Sequence, residues 1–404
     1  MSSGLLLVLI VAGGYLAARL AVGYLARRYL IVAGAEYLLL GILLGPQVSG
    51  LISSNVVDSF GPFITLAIGW MGAVIGAEFH LPQLLRVRGA TYQTAFLEAL
   101  LTTAVVAGAM LLALVWLLDV PQQAAVAPAL VLGTIAVTTS SSGIALAVRR
   151  LAREGAARTP LLRQLQITGG MDAVVAIVTF TLLLCLTHPA PPSTIRPPTP
   201  TEWAVITIAI GVVGGILYHL FLGGEQNPDR LFIALAAAIA LASGTAVYAR
   251  LSPLLPTMLI GAILINTTRN RAPIADVLHR VQRPLYLVLL LFAGAAWRPS
   301  AQGWVWPILI YLFVRPVAKL GAARLAGRLS GTGRELGPDW GQALIGQGSL
   351  AVAIALNYRI FDSSSLPHLV FTAAIASVLL TDFLSARLVR GAVQRHRRRQ
   401  AEAA

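Results

Sequence analysis

Charge is what this chain has least of. Asp, Glu, Lys and Arg make up 11% of its 404 residues, against about a quarter in soluble globular proteins. So few charges cannot clothe a water-facing surface, and a soluble globule is excluded. Cysteine is nearly absent: Cys185 stands alone, which rules out an intrachain disulfide and a CxxC metal site. Alternating segments of about ten residues, the mark of a transmembrane β-barrel, are missing. Acidic residues are scarce beside basic ones, 16 against 30, for a net charge of +14. The arginines, however, sit in short loops between apolar blocks, where membrane proteins carry them on the cytoplasmic side. No nucleic-acid partner is expected.

What is present is apolar. Hydrophobic residues form 57% of the chain, in blocks of about 18–25, each enough to cross a bilayer as a helix. The expected fold is an all-α polytopic membrane protein of about thirteen transmembrane helices. The spans are placed at 4–25, 31–52, 61–79, 92–118, 124–148, 162–187, 203–223, 229–250, 253–267, 281–297, 304–326, 339–360 and 366–388. The first block lacks a basic n-region and a cleavage site, so it reads as a retained span. Arg27 and Arg28, Arg86 and Arg88, Arg149 to Arg163, Arg269 to Arg283, Arg324 to Arg334 and Arg390 to Arg399 fall in alternate loops. The positive-inside rule puts these in the cytoplasm, with the N-terminus outside and the C-terminus inside. His188 to Pro200 reads as an extended external connector, and Asn266 to Arg283 as a basic inner loop. The tail after Arg390 is too short to fold on its own.

A faint internal repeat links residues 37–46 with 256–265, each followed by a loop and a glycine-bearing span. The two copies cross the membrane in opposite senses. Inverted repeats of this kind accompany secondary transporters.

Inside the spans, polar residues are rare enough to be informative. Asp172 stands mid-span in Ile167-Thr-Gly-Gly-Met-Asp-Ala-Val-Val-Ala-Ile177. A charge at that depth costs about 2.5–3.5 kcal/mol or more on insertion scales, so it implies a partner or a function. Thr138, Thr139, Ser140, Ser141 and Ser142 precede Gly143. Such a run favours local side-chain bonds over helix, and predicts a break with carbonyls and hydroxyls open to a small cation. Gly346, Gln347 and Gly348 mark a second break in the matching span of the second half. Paired breaks are the strongest sequence pointer to a transport site.

Arg315 and Lys319 are the candidate core charges. Arg315 is the one expected to be buried, set against helix-end carbonyls or an acid, with Lys319 snorkelling to the inner surface. Glu98 and Asp382 are secondary acids within spans. Glu36, Glu78 and His219 lie near span ends and read as packing or entrance residues.

These motifs together resemble the monovalent cation/proton antiporter family of sodium/proton and potassium/proton exchangers, over nearly the whole chain. The stretch from Gly41 to Gly50 is similar to its early G-x-x-x-G-P segment, and Gly76-Ala-Glu-Phe79 to a G-x-E-[LF] span end. Thr139-Ser140 falls at the family's first break, Gln347-Gly348 at its second. Asp172 corresponds to the ion-binding aspartate, and Arg315 to the basic residue of the later core helix. Met171 stands where relatives often carry a second polar or acidic residue, and Ser141 replaces a common proline.

The resemblance implies inverted repeats with two crossed, broken helices in one membrane domain over 1–400. It implies a dimerisation bundle from 1–79 and 229–297, a core bundle from 92–187 and 304–390, and a linker helix at 203–223. It also implies a homodimer in a bacterial inner membrane, binding Na+ or K+ and H+ at Asp172 with Thr138, Thr139 and Ser140. No cofactor, enzymatic activity or soluble regulatory domain is expected. With Met171 beside Asp172, one-for-one electroneutral exchange by an elevator movement is the expected mode. The rivals are a sodium-coupled organic-anion transporter of related fold, a passive channel, and an intramembrane hydrolase. The hydrolase would use Asp172 with Asp382, or a serine of 140–142, but G-x-G-D and G-x-S-G signatures are missing.

Overall fold

The computed structural model describes residues 34–403, except 154–159, 190–197, 223, 226, 269–270, 299–303 and 363–364. Sixteen α-helices and one 3-10 helix, with no strand, make up the described residues. They are α1 (Ala35–Leu44), α2 (Ser54–Ser59), α3 (Gly61–Ala77), α4 (Leu81–Leu84), α5 (Gly89–Leu118), α6 (Gln122–Val137), α7 (Ser141–Arg153) and α8 (Pro160–Leu186). Then follow α9 (Pro200–Leu222), α10 (Pro228–Tyr248), α11 (Leu254–Thr267), α12 (Arg271–Ala295), α13 (Val305–Leu329), α14 (Gly333–Leu336), the 3-10 turn Trp340–Leu344, α15 (Ser349–Phe361) and α16 (Leu366–Ala403).

The expected span at 4–25 lies outside the described residues, as does most of the connector 188–200. Every other expected span contains a described helix. Among the described residues five helices, α5, α8, α9, α10 and α13, are long and apolar enough to cross a membrane. The arms of α16, Leu366–Thr381 and Leu384–Arg399, meet at 52° and make a sixth if counted as one. The remaining apolar helices, α3, α6, α11 and α15, are shorter; α6 and α15 each border a break in the helix.

Prolines set several starts. Pro160, Pro200 and Pro228 each open a helix, where the missing N–H has no partner to lose and φ is already helical. Asn227 adds a side-chain cap to α10, accepting from Asp229 N–H at 2.9 Å.

Two boundaries differ from expectation. Asn266 to Arg283 is not an open loop, because α12 begins at Arg271. The basic residues there ride on an amphipathic extension, and Asp276 meets Arg280 one turn on, at 3.8 Å. Likewise the tail continues as helix to Ala403. It docks rather than folding alone: Arg399 reaches Asp339 at 2.5 Å, and Arg395 donates to Gln342.

The chain divides into two units. One comprises Met1–Val57, Arg88–Ala176 and Leu290–Ala404, the other Asp58–Val87 and Ile177–Leu289. The first packs Trp340, Leu165, Leu344, Val393 and Ala323 into one apolar cluster, with Trp340 Nε1 donating to Ala323 O at 3.2 Å. The second is centred on Trp70, Leu235, Ile239 and Leu264, with Trp70 Nε1 donating to Leu278 O at 3.0 Å.

The same helix pairing appears in both units. In the first, a side chain on Gly41 of α1 would meet Leu291 O of α12 at 2.0 Å, and one on Gly294 would meet Leu38 O at 2.1 Å. In the second, a Cβ on Gly261 of α11 would meet Ala73 O of α3 at 2.0 Å, and one on Gly76 would meet Met258 O at 1.9 Å. Glycine lets backbones approach this closely where lipid supplies no hydrophobic drive. The reciprocal contacts match α1 to α11 and α12 to α3, the correspondence of the sequence repeat.

Candidate ion-binding site

The first break falls where the hydroxyl run predicts it. Helix α6 ends at Val137, Thr138 is extended (φ −59°, ψ 130°), and α7 begins at Ser141. The second lies between the 3-10 turn and α15, with Gly348 extended (φ −117°, ψ −166°). They meet: Ser140 N–H donates to Gly346 O at 2.8 Å. Contact this close needs small residues. A Cβ on Gly346 would stand 2.4 Å from Ser385 Cβ, and one on Gly348 3.1 Å from Ser140 Cα. Gln347 locks the crossing, its Nε2 donating to Ile135 O at 2.7 Å and its backbone N–H to Thr381 Oγ1 at 3.0 Å.

Tyr311, Arg315 and Lys319 lie four residues apart and share one buried face of α13. Arg315 is level with the breaks. Its Nε donates to Ala136 O at 3.1 Å, one terminal nitrogen to Thr138 O at 3.1 Å and the other to Ile345 O at 2.6 Å. The guanidinium thus satisfies carbonyls that two helix ends leave open. The end of α6 carries roughly half a negative charge, and the Ile345 carbonyl adds its own dipole, so the arginine is set against negative partial charge on both segments.

Lys319 does not snorkel. It is fully buried, and its Nζ donates to Asp172 Oδ2 at 2.8 Å, Thr139 Oγ1 at 3.1 Å and Glu98 Oε2 at 3.2 Å. An ammonium has three donors, and each finds an acceptor. Lys319, rather than Arg315, therefore meets the acids, because one turn along α13 moves the side chain from the helix ends to the level of α5 and α8. Thr139 Oγ1 donates to Asp172 Oδ2 at 2.5 Å. Thr102, one turn beyond Glu98 on α5, donates to Glu98 Oε1 at 2.8 Å.

Asp172 is fully buried, and its Oδ1 is without a hydrogen-bond partner. A buried carboxylate oxygen in that state is costly and offers an acceptor to a proton or a bare cation. Of the other expected ligands, Thr139 shares the cluster. Thr138 turns its hydroxyl back to Ile135 O at 2.8 Å and gives its carbonyl to Arg315. Ser140 Oγ caps α7, accepting from Gly143 N–H at 3.2 Å. Asp382 has its side chain outside the described residues, and no His/Cys/Asp/Glu metal cluster occurs among those described.

Crossed half-helices around a buried acid–base cluster define a membrane transporter of the inverted-repeat class. The sodium/hydrogen exchanger transmembrane family matches residues 36–390, and the chain belongs to that family. It is a cation/proton antiporter by this membership. Among solved structures it is similar to the sodium proton antiporter MjNhaP1 from Methanocaldococcus jannaschii at pH 8. That match has a TM-score of 0.68 and 16% identity, covering 96% of this chain and 98% of that one. An electron-microscopy map of the same antiporter gives a TM-score of 0.67 at 15% identity, covering 95% and 97%. No curated protein matches the sequence.

Proposed function

We propose that the chain exchanges one monovalent cation, Na+ or K+, for one proton, with Asp172 as the carboxylate that holds either. The observation that carries this reading is the free Oδ1 of Asp172 beside its bridge to Lys319. Oδ2 is held by Lys319 and Thr139, so a load enters at Oδ1. Proton and cation compete for that oxygen, and neither binds while the other is present. Oxygen donors suit a hard cation, by extension of the calcium and magnesium rule.

Met171 offers no second acid next to Asp172, which supports a single load and electroneutral exchange. The core bundle of 92–187 and 304–390 would carry the load by an elevator-type movement. A homodimer would form through the bundle of 1–79 and 229–297. The expected setting is a bacterial inner membrane, with the N-terminus outside and the C-terminus in the cytoplasm.

The test is exchange in proteoliposomes with a pH-sensitive dye, using Na+ and K+ in turn at several pH values. Wild type should alkalinise or acidify the lumen according to the cation gradient, with no dependence on imposed voltage. Asp172→Asn should abolish the coupled flux. Full activity in that variant removes the site, and voltage-dependent end-points remove the one-for-one ratio.

A further inference from the structure

Lys319 holds two carboxylates, and the exchange at Asp172 engages only one. The second is Glu98, whose Oε1 and Oε2 both stand 3.2 Å from Nζ. Glu98 is fully buried on α5, and Thr102 fixes its orientation from the next turn. Close packing holds α5 itself in place: a Cβ on Gly133 of α6 would stand 2.6 Å from Thr103 O. The acid is therefore built into the cluster rather than resting against it.

We infer that Glu98 is a positioning residue that supplies the counter-charge of Lys319, leaving Asp172 the one negative group that a load must neutralise, and so sets cation affinity. This rests on the exchange reading above and names a residue it does not use. The argument is a charge count in a dry interior. Arg315 is offset by the carbonyl ends it caps. With Glu98 ionised by its contact with Lys319, the three groups Glu98, Lys319 and Asp172 sum to one negative charge, and a single proton or monovalent cation brings the sum to zero. Both loaded states are neutral, which is what a site crossing hydrocarbon requires. Without Glu98 the remaining pair is already neutral. A cation then arrives as an uncompensated charge, or Lys319 must release its proton to water to admit it.

The experiment measures KM for Na+ and, separately, K+ in proteoliposomes of the full chain, with folding followed by gel filtration. E98Q keeps the side-chain size and one acceptor oxygen, for Thr102 or Lys319, but removes the charge. It should raise KM about tenfold or more, with E98D recovering most of the loss. The discriminating variant is E98Q/K319Q, which restores one net negative charge on Asp172. It should bind cation more tightly than E98Q, a gain that a purely structural role for Glu98 would not produce.

Wild-type KM in E98Q overturns the inference. So does a double variant that is unfolded or binds no better than the single one. Where E98Q itself does not fold, the comparison is between the double variant and wild type, and loss of cation-coupled flux in the double variant counts against it. Absence of exchange by wild type with either cation would instead overturn the antiport reading.

Discussion

Arg315 and Lys319 lie one helical turn apart on α13, yet they meet different chemistry. The guanidinium is planar, and its fork reaches three carbonyls on two chain segments. The ammonium is a compact point with three donors, and it sits among two carboxylates and a hydroxyl. Exchange of the two types is therefore not conservative. In Arg315→Lys a single short amine cannot serve both Ala136 and Ile345. About two charge-assisted hydrogen bonds are lost, roughly 1.5–3 kcal/mol each. The detergent-solubilised variant should melt several degrees below wild type by differential scanning fluorimetry. An unchanged melting temperature would show that the crossing does not depend on the fork.

At the scale of elements, the two breaks hold each other through backbone contact, so their tolerance is set by space. A methyl at Gly346 would meet Ser385 Cβ at 2.4 Å, and forcing it in costs about 1–3 kcal/mol. Gly346→Ala should lower both stability and transport rate, and Ser385→Gly in the same chain should restore part of each. The control is Gly108 within α5, where nothing lies within 4 Å. Gly108→Ala should be neutral or stabilise by up to about 1 kcal/mol from helix propensity alone. Thermal melts and initial exchange rates of the three variants check the contrast.

Much of this architecture was legible beforehand. Hydroxyl runs and glycine pairs disfavour helix locally, so both breaks could be read from residues 138–142 and 346–348. Asp172 was legible because charge in an apolar block is costly. The partner of Asp172 was not. Arg315 and Lys319 share one helix face, and which of them reaches the acids depends on the heights of α5 and α8, which no local pattern encodes. Glu98 was visible as an acid in a span, but its bond to Lys319 joins residues 221 positions apart. Similarly, the basic run after Arg269 carries the charge of a loop, yet arginine is a good helix former, and α12 begins within it.

For the molecule as a whole, the distribution of arginine sets the expected orientation, and the structure adds a constraint. The tail of α16 is tied to the segment before the second break by Arg399 with Asp339 and Arg395 with Gln342. Tail and segment therefore lie on the same side of the membrane. By the positive-inside rule that side is expected to be the cytoplasmic one, because both the 324–334 segment, from the end of α13 into α14, and the tail are rich in arginine. The segment 119–123 carries Asp119 and no arginine, and is expected on the opposite side. Cysteine labelling can decide this cleanly, since the one native thiol, Cys185, is buried. Gln122 and Arg397 are both exposed. A membrane-impermeant maleimide should label Gln122→Cys on intact cells. Arg397→Cys should react only after the membrane is permeabilised. Labelling of Arg397→Cys on intact cells would invert the topology. The cytoplasmic face of the proposed exchange would then have to be reassigned, although the pairing among Asp172, Lys319 and Glu98 would be unaffected.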